Sequence, residues 1–217
     1  MYKNKFNLRN VVVIAICLAG TTMLLGCKAS TDSFTYDEGV VINGVKWATR
    51  NVDKPGTFAV NPEDAGMFYQ WNCNVALPVT GSVTNWDSSN NLIEDKWEKS
   101  NDPSPIGWRV PTIEETEKLL DREKVTKEWA TINGVNGMKF IDKITGNSLF
   151  LPAVGRRDSS GTLVYAENGY YWSNSRVMFE NFGLLYYGIL TFLSDNAAAF
   201  KNFGNRSSGL SVRCVEE

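Results

Sequence analysis

The chain has 217 residues, with 22 lysines and arginines against 24 aspartates and glutamates, and it contains no histidine. This balance lacks the basic stripe that binding to a phosphate backbone requires, so we expect no nucleic-acid partner. The absence of histidine removes Ser-His-Asp and Cys-His catalysis and His-ligated zinc, and we therefore expect no enzyme, no metal site and no cofactor.

The start of the chain combines basic residues, an apolar stretch and a cysteine. The apolar stretch 11–25 is shorter than the about 20 residues that a membrane-spanning helix needs, and the order of the three parts is typical of a secretory signal. Its junction, Gly26-Cys27 after two leucines, resembles that of bacterial lipoproteins, in which the cysteine receives diacylglycerol and the preceding peptide is removed. The resemblance implies a signal over residues 1–26 and lipidation of Cys27. An ordinary signal and an uncleaved anchor are the alternatives.

A lipid on Cys27 would make the membrane a partner and would place the protein at the outer membrane, on its periplasmic or its extracellular face. Lys28 follows the cysteine, and by resemblance to enteric sorting rules this disfavours retention in the inner membrane. Residues 27–38 are small, polar and acidic, and they predict a short tether. Residues 39–217 then form one domain.

Cys73 and Cys214 are the only thiols of the sequence beyond Cys27. In an exported protein two such cysteines form a disulfide more often than a metal site, and two thiols do not complete a zinc site. The sequence does not establish that their Cα atoms lie within the about 7 Å that a bridge needs. A Cys73–Cys214 disulfide and two free thiols are therefore both open.

The first predicted elements lie between residues 40 and 101. A hairpin is predicted over residues 40–47, because Asn43-Gly44 lies between β-forming apolar residues. A weaker helix is predicted at residues 62–66, although Gly66 and the aromatic residues after it favour a strand or a loop. Residues 80–101 are rich in Asn, Asp and Ser, and they predict a long irregular loop of the kind that often has a function.

The clearest helix is predicted over residues 112–120. Thr112 and Glu115 have the spacing of a capping box, and the apolar residues that follow fall on one helix face. The segments after this helix are β-forming, and strands are predicted at residues 138–143, 148–151, 169–173, 184–193 and 210–215. Strands at both ends of the domain and a helix between them predict an α+β fold.

Ordered blocks of sequence run through nearly the whole domain. They comprise residues 42–52, 62–71, 102–112, 151–157, 169–174 and 209–215, and include Gly107-Trp108-Arg109-Val110-Pro111 and Gly169-Tyr170-Tyr171-Trp172-Ser173. Together they resemble the Fibrobacter succinogenes major paralogous domain. The resemblance implies a C-type-lectin-like α+β domain, mostly antiparallel strands and hairpins with one or two helices and long loops, whose termini pair and whose loops present a binding face. It also implies a bacterial surface protein. Ser104 stands where the family usually has the cysteine that pairs with the C-terminal one.

The tryptophans of this chain have flat apolar faces that could stack against a sugar ring. Four of them are assigned to the core: Trp47, Trp71, Trp108 and Trp172. Trp86, Trp97 and Trp129 lie among polar residues and are expected to be more exposed. Trp86 and Trp97, together with Asp87 and Asn90 of the predicted long loop, are the candidate ligand-binding residues.

These patterns predict a lipid-anchored, non-catalytic binding or adhesion module for a glycan or a protein ligand. Calcium-dependent sugar binding is disfavoured, because the relevant strand reads Trp172-Ser173-Asn174 and no Glu-Pro-Asn triplet occurs. The alternatives are a structural or pilus-associated envelope subunit and a scaffold whose segment 174–206 is diversified for ligand display. Catalysis ranks below these.

Overall fold

The structure is a computed structural model, and it describes residues 35–84, 86–89, 94–179, 184–195 and 198–217. The predicted signal over residues 1–26, the lipidation site Cys27 and most of the predicted tether lie outside the described residues. So does Asn90, one of the four candidate ligand-binding residues.

The described residues form fourteen β-strands, one α-helix and one 3-10 turn at Lys99–Asn101. The helix is α1 (Ile113–Leu120), and the strands are β1 (Val40–Ile42), β2 (Val45–Trp47), β3 (Phe68–Gln70), β4 (Trp108–Arg109), β5 (Val125–Ile132), β6 (Val135–Asp142), β7 (Ser148–Pro152), β8 (Arg156–Arg157), β9 (Leu163–Val164), β10 (Gly169–Phe179), β11 (Leu184–Phe192), β12 (Ala199–Gly204), β13 (Gly209–Ser211) and β14 (Val215–Glu216). Within these ranges no helix is long and apolar enough to cross a membrane.

The strands form three sheets. One has the order β1-β2-β14-β4, a second pairs β5, β6 and β7, and the largest has seven strands in the order β12-β11-β10-β13-β8-β9, with β3 also paired to β13. Among the named strands, every pairing is antiparallel except that of β10 with β13. The architecture is thus α+β and mostly antiparallel, as the sequence predicted.

The hairpin predicted over residues 40–47 is confirmed, and β1 and β2 are its strands. Its turn residues Asn43 and Gly44 have φ angles of 46° and 75°, the left-handed region that a two-residue hairpin turn requires. Asn43 also donates its backbone N–H to Asp142 Oδ2 at 2.7 Å, which ties this turn to the end of β6.

The predicted capping box of α1 is confirmed. The Thr112 side chain accepts a hydrogen bond from Glu115 N at 3.2 Å, and Glu115 Oε2 accepts one from Thr112 N at 2.8 Å. Thr116 and Leu119 form the buried face of the helix. Arg109, at the end of β4, donates two hydrogen bonds to the Glu115 carboxylate at 2.8 and 2.6 Å.

The prediction of a weak helix at residues 62–66 is wrong, because the chain forms a turn there. Asp64 Oδ2 accepts a hydrogen bond from Asn61 N at 2.8 Å, which closes the turn. Gly66 has a φ of +64°, and a Cβ atom at this position would lie 2.2 Å from Val52 O. The left-handed backbone of Gly66, in close contact with Val52 O, is incompatible with an α-helix at this point. Strand β3 begins two residues later.

The four tryptophans assigned to the core are buried. Trp71, Trp108 and Trp172 belong to one cluster of buried side chains, which also includes Tyr187, and Trp47 belongs to a second cluster with Tyr171 and Phe192. Trp129 packs against the second cluster, with its ring centroid 6.2 Å from that of Phe192. Trp129 is therefore partly buried, whereas its polar sequence neighbours had predicted an exposed side chain.

The two ends of the described domain meet in one sheet. Val215 of β14 lies opposite both Trp47 of β2 and Arg109 of β4. Asp37, which falls inside the predicted tether 27–38, is buried and accepts hydrogen bonds from Thr49 and Arg50. Asp37 is therefore packed together with the domain predicted over residues 39–217.

Candidate functional site

Trp86 and Asp87 lie against the β8–β9 hairpin and the segment before β13. Trp86 is half-buried, donates Nε1 to Ser159 O at 2.9 Å, and covers Gly161 so closely that a Cβ atom there would lie 3.1 Å from the indole. Asp87 is exposed and pairs with Arg206 at 3.3 Å. Hydrogen bonds from Ser89, together with Arg206, hold the pKa of the Asp87 carboxyl below its ordinary value. These contacts fix the two residues to the domain surface.

Trp97 differs from the expectation of an exposed stacking platform. Its side chain is only 7 % exposed, and Nε1 donates to Asn101 O at 2.9 Å. The ring centroid lies 5.7 Å from that of Trp71, so Trp97 joins the core cluster of Trp71 and Trp172. Trp86 and Trp97 pack against different elements and do not form one surface.

Trp97 and Trp108 nevertheless line a cleft of about 450 Å³. Most of the polar side chains of this cleft are paired with other residues of the protein. Arg109 binds Glu115, and Lys99 pairs with Glu217 at 3.0 Å. The Asp102 carboxylate accepts hydrogen bonds from Val110 N at 3.0 Å and from Ser104 N at 2.8 Å. The cleft therefore offers few free polar groups to a ligand.

Of the two alternatives that the sequence left open for Cys73 and Cys214, the structure has two free thiols. Cys214 is fully buried, and its Sγ lies 3.0 Å from Ser104 Oγ, to which it donates. Burial raises the pKa of the Cys214 thiol well above its ordinary value, so this thiol stays protonated. The neighbour of Cys214 is thus Ser104, at the position where the resemblance described above implies a cysteine.

A different hollow, of about 400 Å³, has the composition of a binding site. We call it the tyrosine hollow, and define it by five residues: Arg156, Tyr165, Tyr170, Asn202 and Asn205. They come from β8, the residue after β9, β10, β12 and the residue after β12. Pairing of β10 with β11 and of β11 with β12 builds one wall, and pairing of β8 with β9 places the other.

Tyr165 is the most exposed aromatic side chain of this hollow. It is 55 % exposed, and its φ angle is +52°. A bulky residue with a left-handed backbone is uncommon, and such positions concentrate at binding and active sites. The Arg156 guanidinium lies 5.8 Å from the ring centroid of Tyr165 and 5.4 Å from that of Tyr170, within the range of cation–π contact with both.

Two asparagines supply the polar side of the hollow. Asn202 Oδ1 accepts a hydrogen bond from Phe203 N at 2.8 Å, and Asn205 Oδ1 accepts one from Ser207 N at 3.0 Å. Their amide oxygens are therefore oriented by the protein. No residue among those the structure describes accepts a hydrogen bond from either amide nitrogen, so both remain available as donors.

The tyrosine hollow can bind a polar ligand with an apolar face, and the residues that line it include no histidine, cysteine or carboxylate. Over the described part of the chain, no three His, Cys, Asp or Glu side chains are grouped so that they could hold a metal ion. None of the five residues of the hollow was predicted individually. Asn202 and Asn205 lie in the segment 174–206, which the sequence had indicated as a display region only by its composition.

Comparisons with protein-family models, with curated proteins and with solved structures found no match to this chain.

Proposed function

We propose that this protein is a non-catalytic binding module that recognises a glycan through the tyrosine hollow. The observation that supports this most is the exposed ring of Tyr165, held in an unusual backbone conformation beside Arg156. Aromatic rings pack against the apolar faces of sugars, and the free amide donors of Asn202 and Asn205 suit sugar hydroxyls.

The wider setting is part of the same proposal. The domain is a C-type-lectin-like member of the Fibrobacter succinogenes major paralogous group, attached to the outer membrane by a lipid on Cys27. Three features support it: the α+β topology, the pairing of β14 with β2, and the contact of Cys214 with Ser104. The sequence pattern at the start of the chain supports the anchor.

A glycan-array screen of the full chain in detergent micelles tests the binding function. We expect a defined set of glycans to bind, and Tyr165→Ala to weaken the best of them about threefold to tenfold, because stacking by one aromatic ring contributes on that scale. Tyr36→Ala is the matched control, since Tyr36 is 64 % exposed and lies outside the hollow. An array on which no glycan binds, or binding that is equal in both variants, would contradict the proposal.

A structural or assembly subunit of the envelope is the second candidate function. It is favoured by the position of β12, which ends the seven-stranded sheet and exposes Phe200. An end strand of this kind can pair with a strand of another chain. Light scattering after gel filtration separates the two functions, because a subunit should form defined oligomers while its glycan array stays empty.

A further inference from the structure

A second hollow lies at the start of β5, and it shares no residue with the tyrosine hollow. It has a volume of about 440 Å³ and is lined by three basic side chains. We call it the basic hollow and define it by Arg122, Lys127 and Lys143. Val125 and Ala199 provide apolar wall between them. Its size suits a small ligand or one group of a larger one.

Lys127 occupies a position where a lysine is not expected. Side chains alternate along a strand, so Lys127 lies on the same face of β5 as Val125 and Trp129. Val125 is 2 % exposed and, like Trp129, packs with the core. The strand therefore presents a cation on its core-facing side, and the only hydrogen bond of Lys127 Nζ within the described residues is a long one, 3.4 Å, to Ala199 O.

Within the described residues, the three cations also lack an ion-paired carboxylate. No carboxylate of the described residues forms an ion pair with Arg122, Lys127 or Lys143, although Lys139 and Lys201 nearby are paired with Glu128 and Glu117. Burial, together with the charge of Arg122, lowers the pKa of Lys127 from its ordinary value. Positive charge is thus concentrated here without an ion-paired carboxylate among the described residues.

Two acidic residues that flank the hollow in sequence, Asp121 and Asp142, accept hydrogen bonds from backbone N–H groups. Asp121 Oδ1 accepts a hydrogen bond from Glu123 N at 3.0 Å, and Asp142 Oδ1 accepts hydrogen bonds from Ile144 N and Thr145 N, both at 2.9 Å. Lys143 Nζ donates to Arg122 O at 2.6 Å, which ties the two exposed arms of the hollow together. The cations are therefore held near one another by the fold itself.

We propose that the basic hollow is a binding site for a phosphate or sulfate group. Such an oxyanion would supply the counter-charge that Lys127 lacks, and the planar guanidinium of Arg122 suits its bidentate recognition. Partial burial strengthens these contacts, because the charges are less screened by water and salt. The site is independent of the proposed glycan function and would remain if that function failed.

Titration calorimetry of the full chain in detergent micelles, with sodium phosphate replacing sodium chloride at constant ionic strength, tests the site. We expect saturable phosphate binding that is at least about tenfold weaker in Lys127→Met, and also weaker in Arg122→Gln and Lys143→Gln, as loss of a charged hydrogen bond predicts. Lys54→Gln is the matched control, because Lys54 is exposed and lies outside the hollow.

A melting curve without phosphate distinguishes loss of the site from loss of the fold. Lys127→Met should melt at or above the wild-type temperature, because an apolar chain of similar length replaces a half-buried cation. The proposal is overturned if the wild type shows no saturable phosphate binding, or if all the variants bind phosphate as the wild type does.

Mixed micelles distinguish two sources of the anion. Displacement of phosphate by phosphatidylglycerol in the micelles, but not by phosphatidylcholine, would support the site with a lipid headgroup as its ligand. If phosphate binding is the same in both kinds of micelle, the site is supported with a soluble ligand instead.

Discussion

Ser104 and Cys214 illustrate how one side chain can decide whether two segments are joined covalently. The hydroxyl of Ser104 lies 3.0 Å from the buried thiol of Cys214. This hydrogen bond gives the buried thiol a partner, whereas a disulfide would constrain the unfolded chain. In the family that we propose for this chain, a cysteine is expected at the position of Ser104.

We predict that Ser104→Cys forms a disulfide with Cys214 under oxidising conditions. Closing a loop of about 110 residues should stabilise the domain by about 3 kcal/mol and raise its melting temperature by about 8 °C. Mass spectrometry identifies the bridge, and melting with and without reductant measures its effect. Ser148→Cys, at an exposed position of β7, should leave the reductant response unchanged. A reduced thiol at position 104 after full oxidation would contradict the predicted geometry.

At the level of elements, α1 is joined to β4 by the contacts of Glu115. Its carboxylate accepts hydrogen bonds from the Arg109 guanidinium and from Thr112 N. Burial acts against ionisation, but these hydrogen bonds outweigh it and hold the pKa of Glu115 below its ordinary value. A carboxyl whose folded-state pKa is lowered stabilises the fold above its unfolded pKa, and this stabilisation is lost as pH falls through the folded value.

We therefore predict that Glu115→Gln lowers the free energy of unfolding by about 1 kcal/mol at pH 7, a value reduced by the partial exposure of the ion pair. The melting temperature should fall by about 3 °C. The difference from wild type should shrink below about pH 4, as the wild-type carboxyl takes up a proton. Circular dichroism melts at pH 7 and pH 3 check this. Glu114→Gln, at an exposed position of the same turn, should show less than half the effect.

Elements with a local cause could be predicted from the sequence. The Asn43-Gly44 turn and the Thr112 capping box depend on residues within four positions of one another, and both are confirmed. The tyrosine hollow could not be predicted, because β-sheet pairing brings Arg156 within reach of residues almost fifty positions away in sequence. The burial of Trp97 could not be predicted either, because it depends on a contact with Trp71, which is distant in sequence. The polar neighbours of Trp97 in sequence face outward and indicated exposure.

For the whole molecule, Asp37 connects the segment before the first strand to the sheet that contains both ends of the domain. Its fully buried carboxylate accepts hydrogen bonds from Gly39 N at 2.8 Å, Thr49 N at 3.0 Å and Thr49 Oγ1 at 2.9 Å, and it pairs with Arg50 Nε at 3.1 Å. Removing it would leave several donors without this acceptor in the interior.

We predict that Asp37→Ala lowers the free energy of unfolding by about 3 kcal/mol, because a buried, hydrogen-bonded charge is lost while its partners remain. Urea denaturation should show a lower midpoint with an unchanged slope. Glu38→Ala is the matched control, since Glu38 is exposed, and its midpoint should stay close to that of the wild type. Equal midpoints for the two variants would show that the Asp37 contacts do not stabilise the domain.

The contacts of Asp37 lie where a pulling force on the preceding chain would first reach the domain. Tension on the chain ahead of residue 35 would act on β1, the end strand of its sheet, whose pairing with β2 begins at Val40 opposite Trp47. Antiparallel strands pulled from an open end separate one pair at a time and resist weakly. Just beyond that open end, Asp37 is hydrogen-bonded to Thr49 and ion-paired with Arg50. These buried contacts would have to break before the tension could separate β1 from β2.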